Sequence, residues 1–135
     1  MTMHPQSAAI VAAVRACVGT RFRAQGRLAG VGLDCVGVAL IAAAAAGVVI
    51  AVPAYALGGD REAELDRAIA AAGCRRVANA SCGDLLTIAP SPGRRHLAVV
   101  TDRCVVHAHA GLGRVVEGPI DPSWTVLAAW RLPED

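Results

Sequence analysis

Among the side chains that can do chemistry here, five cysteines and four histidines are the nucleophiles and bases to weigh first. Cys35 stands in "GVGLDCVGVAL", residues 30–40, behind Asp34 and among Gly30, Gly32 and Gly37, with an apolar run directly after it. A cysteine in the first turn of a helix meets free main-chain amides and the positive end of the helix dipole, and both favour a thiolate. Asp34 is suited to cap the same amides. The three glycines let main chain come close, as a substrate carbonyl beside the thiol requires. A nucleophilic thiol also needs a base, and the base needs an orienting group. His96 opens "HLAVVT", and His107 and His109 lie in "VVHAHA". Strand alternation puts His107 and His109 on one face, and a hairpin turning at "TDR" carries that face towards His96. Acyl transfer by a thiol is the chemistry this set can perform, with the third role open between His107 and His109. Cys35, Cys74, Cys82, Cys104 and the histidines are zinc ligands in type, but their spacing matches no common zinc pattern, so no metal site is expected.

Positioning that set requires a helix headed by Asp34-Cys35 and a sheet behind it. "PQSAAIVAAVRACVG" reads as a first helix with Ser7 as N-cap, Ile10, Val11, Val14 and Cys17 inward, and Gly19 as the stop. "TRFRAQGRLAGVGL" reads as a glycine-rich loop. The second helix runs from Asp34-Cys35 to about Ala46, with Gly47 ending it. "AVPAYALGG" is a loop, and Asp60 is placed to cap a third helix ending at Gly73. Five short β-branched runs follow: "DLLTIA", "HLAVVT", "CVVHAHA", "RVVEGP" and "LAAWRLP". Separated by Asp, Gly, Pro and Arg, they mark an antiparallel meander. Helices first and strands afterwards imply an α+β domain, one unit over residues 1–135, with the sheet packed on a buried helix.

Composition narrows the function classes. The net charge is +2 and every basic residue is Arg, with no basic block, which argues against nucleic acid as a partner. From Cys35 to Gly59 no residue is charged. That run is long enough to span a bilayer, yet Gly47 and Pro53 break it and its alanines are weakly apolar. A buried core helix of about 12 residues fits better than membrane insertion. The odd cysteine number, without Cys-x-x-Cys spacing, fits reduced thiols, with Cys17, Cys74, Cys82 and Cys104 in the core or incidental. The first residues lack the basic region of a signal peptide, so synthesis without secretion is expected.

These residues also resemble a known family. "VGTRFRAQGRLAGVGLDCVGVAL" is similar to the first motif of the NlpC-type cell-wall peptidases, papain-like cysteine peptidases, and is closest to their phage and gene-transfer-agent branch. The core of that motif is Gly-x-Asp-Cys-x-Gly, here Gly32 to Gly37. "SCGDLLTIA" resembles the family's Gly-Asp strand opening at Gly83 and Asp84. "RRHLAVVTDRCVVHAHAG" resembles the stretch with the base histidine and a second histidine one hairpin later. "GRVVEGPIDPSWTVLAAWRLP" is similar to the closing segment of the phage branch.

The resemblance implies a papain-like NlpC-type domain, with an antiparallel sheet against a central helix that carries the cysteine at its N-terminus. It implies Cys35 as nucleophile, His96 as base and His107 as the group orienting His96, with His109 as competitor. Phe22, Asp34 and His109 are the implied substrate contacts. Phe22 replaces the usual tyrosine and so lacks its hydroxyl, Arg21 stands where proline is common, and Ala98 stands where glycine is common. The implied reaction is hydrolysis of an amide in peptidoglycan stem peptides, between D-γ-glutamate and the diamino acid, with no cofactor. The same resemblance implies association with phage or gene-transfer-agent tail proteins. A tail-assembly protein of the same fold and an N-acetylmuramoyl-alanine-type amidase are the alternatives.

Overall fold

A computed structural model describes residues 3–53 and 62–134. In chain order the elements are α1 (Pro5–Arg15), β1 (Arg27–Leu28), β2 (Gly32–Leu33), α2 (Cys35–Ala45), α3 (Glu62–Ala71), β3 (Arg75–Val77), β4 (Leu85–Ala89), β5 (His96–Val100), β6 (Val105–His109), β7 (Arg114–Gly118) and β8 (Thr125–Arg131). It is an α+β arrangement, and all five strands expected from the β-branched runs are present.

The six-stranded sheet has the order β3-β8-β4-β5-β6-β7, with every pairing antiparallel. β4 to β7 form the expected meander. β8 does not extend it but returns to the far side of β4, and β3 closes that edge. The β4–β8 register shifts between Thr87 and Ile88, which leaves Leu127 half-exposed at the irregularity. Asp84 locks the start of β4 to the end of β8. Its buried carboxylate accepts from Ser81 N (2.7 Å), Arg131 Nε (3.1 Å) and Arg131 Nη2 (3.0 Å).

The sheet faces two different environments. Leu85, Leu97, Val99, Val106, Ala108, Val115 and Trp130 join the main core with α1, α2 and α3. Leu86, Ile88, Ala98, Val100 and Val105 form a smaller cluster on the other face, covered by Ile120, Trp124 and Ala129. α2 is apolar on almost every side, and seven of its eleven residues are buried, which is the composition of a helix enclosed by protein. Fully burying a Val or Leu side chain contributes about 1.5–3 kcal/mol, so this helix and the strands under it supply much of the folding free energy. α2 ends at Ala46 and Gly47, whose φ of +73° turns the chain, and among the described residues no helix is long and apolar enough to cross a membrane.

Two local expectations change. The N-cap of α1 is His4, whose side chain accepts from Gln6 N at 3.2 Å, rather than Ser7. Pro5 is the cause: it fits the first helical position, where no N–H is needed, and so starts the helix earlier. The glycine-rich loop contains the β1–β2 hairpin, and β3 was not foreseen. The cap expected at Asp60 lies outside the described residues.

Candidate active site

Cys35 is the first residue of α2, and the chain before it is bound tightly to the helix. Asp34, the N-cap, uses both carboxylate oxygens. Oδ1 accepts from Gly37 N (2.8 Å) and Arg27 Nη1 (2.7 Å), and Oδ2 accepts from Gln25 N (2.8 Å). The residue proposed as a substrate contact therefore also clamps the 25–33 loop onto the helix. Gly37 is needed here for space: a Cβ on it would lie 2.3 Å from the carbonyl oxygen of Gly26. Gly26 is equally confined, since its Cβ would lie 2.5 Å from the Gly32 carbonyl. Gly37 thus admits the protein's own main chain, where the sequence had suggested room for a substrate's, whereas a Cβ on Gly32 would meet the Arg23 side chain and one on Gly30 would meet nothing.

His96 is the first residue of β5, opposite Ile88 of β4. On β6, His107 and His109 share the same sheet face, with ring centroids 5.5 Å apart. The β5–β6 ladder is formed at Val99–Val106 and Val100–Val105. Nearer the strand ends a side-chain bond takes over, His96 Nε2 to His107 Nδ1 at 2.7 Å. Those imidazoles project from the face opposite α2. Cys35 therefore approaches them around the end of β5, near the Leu97 amide.

Cys35, His96, His109, Phe22 and Asp34 line one cavity of about 330 Å³, together with Ala24, Pro90, Arg94, Arg95, Ala108, Ala110, Gly111 and Trp124. His107 is not part of the lining. It is 4% exposed and sits behind His96. His109 faces the cavity, and its Nδ1 accepts from Leu112 N at 3.1 Å, a bond that holds the following turn. Among the described residues Cys35 makes no hydrogen bond to either imidazole.

Trp124 is the largest feature that sequence reasoning did not assign to the site. It meets His96 edge-on at 5.2 Å and His107 edge-on at 5.7 Å, and stacks on His109 at 6.1 Å and 30°. The signal was a lone tryptophan in the polar turn "DPSW". Arg94 and Arg95, just before β5, are further lining residues that the sequence reading did not assign to the site.

Burial governs the electrostatics. It pushes the Cys35 thiol up from 9.0 to about 11, aided by the Asp34 charge and only partly opposed by the amides of Leu97, Val36 and Cys35 itself. Burial pushes His96 down to about 3, with His107 and His109 adding to the shift. His107 is lowered to about 4 by burial and then by His109. Burial thus opposes the thiolate that the helix end favours. Desolvation outweighs the helix end, and the resting groups are a neutral thiol and neutral imidazoles. In the tautomer in which His96 Nε2 donates to His107 Nδ1, His96 Nδ1 carries a lone pair, as a proton acceptor requires. Among the described residues no group of three or more His, Cys, Asp or Glu side chains is placed to hold a metal ion, and the five cysteines are free.

The sequence matches no protein-family profile. It also matches no curated protein. The fold is similar to that of the P60 domain of the M. avium subspecies paratuberculosis antigen MAP1204, with a TM-score of 0.62 over 94% of this chain and 93% of that one, at 18% identity. The likeness is one of fold, and it fits the papain-like arrangement implied by the Asp-Cys and histidine motifs.

Proposed function

We propose that this chain is a cysteine peptidase of the NlpC type that hydrolyses an amide in peptidoglycan stem peptides. The observation that carries the reading is the 2.7 Å His96–His107 bond in a cavity shared by His96 and Cys35. A base whose far nitrogen is engaged by an orienting group, beside a thiol at a helix N-terminus, is the arrangement that acyl transfer requires.

In this reading the Cys35 thiol gives its proton to His96 Nδ1 as its sulfur bonds to the substrate's carbonyl carbon. The oxyanion takes hydrogen bonds from main-chain amides at the start of α2. The imidazolium formed at His96 keeps donating from Nε2 to His107, which stabilises its charge and fixes its plane. His96 then passes the proton to the leaving amine nitrogen, the C–N bond breaks, and a thioester remains on Cys35. Water, giving a proton to His96, cleaves the thioester and releases the acid, and His96 returns that proton to the Cys35 sulfur. Transfer is concerted with attack, since neither group is ionised at rest. Such contacts tighten when substrate excludes water from the cavity.

The bond between D-γ-glutamate and the diamino acid, and delivery by a phage or gene-transfer-agent particle, belong to the same proposal. Their support is the resemblance of the Gly32–Gly37 motif and of the closing segment. The test is digestion of isolated peptidoglycan by the wild type and by Cys35→Ala, with the products read by mass spectrometry. Fragments ending in γ-D-glutamate, absent with Cys35→Ala, are the expected result. Release of whole stem peptides from the sugar would make the enzyme an amidase. No cleavage by folded protein with reduced Cys35 would leave a tail-assembly role as the better account.

A further inference from the structure

The cavity beside Cys35 carries a charge pattern that the catalytic chemistry does not use. Its titratable lining comprises Cys35, His96, His109, Asp34, Arg94 and Arg95. Of these, Cys35 and His96 are neutral at neutral pH, by the shifts described above. The Asp34 carboxylate is offset by Arg27 at 2.7 Å. The Arg94 guanidinium remains on the wall that precedes β5 and presents positive charge to whatever enters the cavity.

The two arginines are held differently. Arg95 turns back on the chain, with Nη1 donating to the Arg94 carbonyl at 2.8 Å. Arg94 is exposed at the rim, and its guanidinium has no hydrogen-bond or ion-pair partner among the described residues. Its main chain is fixed by a turn closed from Arg94 N to Ser91 O at 3.2 Å, with Gly93 at φ +78° and Pro90 and Pro92 limiting its freedom. A guanidinium on a braced turn loses little entropy when it binds, and its planar fork matches a carboxylate's two oxygens.

We propose that Arg94 is a specificity-determining residue: it forms a carboxylate subsite that reads the free α-carboxylate of the residue whose γ-carbonyl Cys35 attacks. This deepens the peptidase reading and depends on it for the identity of the substrate. A γ-linked glutamyl residue differs from an ordinary peptide residue in carrying that carboxylate next to the scissile bond. An α-carboxamide in its place has the same shape and no charge, so Arg94 would separate the two forms.

The experiment uses two synthetic peptides, L-Ala-γ-D-Glu-diamino acid with the α-carboxylate free and the same peptide with an α-carboxamide. The wild type is expected to prefer the carboxylate by about tenfold in kcat/KM, the scale of one charge-assisted hydrogen-bonded pair. Arg94→Gln is expected to remove most of that preference through KM, Arg94→Lys to keep part of it, and added salt to weaken it. Binding of both peptides to Cys35→Ala and to the Cys35→Ala, Arg94→Gln double variant, followed by calorimetry, reads the same preference without turnover. If the wild type cleaves neither peptide but Cys35→Ala still prefers the carboxylate through Arg94, the subsite stands and the peptidase reading fails. If Arg94→Gln weakens both peptides equally, or if neither protein distinguishes them in binding, the subsite is refuted.

Discussion

His107 and His109 stand two residues apart on one strand face, yet their surroundings assign them different work. His107 is enclosed and bonded to the base, whereas His109 faces the cavity and holds the Leu112 amide. His107→Ala should therefore lower kcat by about 10²-fold or more, as loss of an orienting group does. His109→Ala should act mainly on KM. Steady-state kinetics of the two variants, with circular dichroism to confirm folding, checks the assignment, and the reverse ranking would exchange their roles. Trp124 gives a second residue-scale prediction. Its ring keeps water from His96 and His107, so the free enzyme's imidazoles stay unprotonated until the pH falls to about 4 and below. The acid limb of kcat/KM should accordingly lie well below the usual histidine value of 6.5. Trp124→Ala should move that limb upward towards 6.5, and Trp124→Phe should move it less.

At the scale of elements, the junction between the 25–33 loop and α2 sets the place of the thiol. Gly37→Ala puts a methyl group against the Gly26 carbonyl, where backbone opposes it. Overpacking of this kind costs about 1–3 kcal/mol, and the helix start must shift to relieve it. Urea denaturation should show that loss, and activity should fall further than stability because Cys35 moves with the helix. Much at this scale was legible beforehand. The strands were visible because buried five-residue runs of Val, Leu and Ile have few other uses, and α2 was visible from Asp34 to Gly47. β3 and the β1–β2 hairpin were not, being only two or three residues long; β3 is largely exposed and pairs with β8, which is distant in the chain, and the hairpin sits inside a glycine-rich loop. At the site, the sequence located Cys35 and three histidines. It did not give the protonation of the thiol, because a helix dipole is local and can be read, whereas desolvation depends on everything packed around the sulfur. Trp124 and Arg94 escaped for a similar reason: loop residues show their type but not which cavity they border.

For the whole molecule, two imidazoles buried in neutral form link stability to pH. Their folded-state values, about 3 and about 4, lie below the 6.5 of an exposed histidine. As pH falls below 6.5 the unfolded chain takes up protons that the folded chain refuses, so folding loses free energy steadily down to about pH 3. Above 6.5 this contribution is fully retained. Thermal unfolding followed from about pH 7.5 down to about pH 4 should show Tm dropping with acidity. His107→Asn, which does not titrate there, should flatten the slope.

The position of β8 has a consequence for how the chain comes together. This strand lies between β3 and β4, so those two cannot join until residues 125–131 are available to bridge them. A nascent chain still missing that stretch has an incomplete sheet, and without Trp124 it has an uncovered pair of imidazoles. Assembly of the cavity therefore waits for that stretch. Both tryptophans of the protein, Trp124 and Trp130, belong to this closing stretch, one over each face of the sheet. Tryptophan fluorescence therefore follows the closure of the sheet, with Trp130 reporting the face packed on the helices and Trp124 the face that carries the imidazoles.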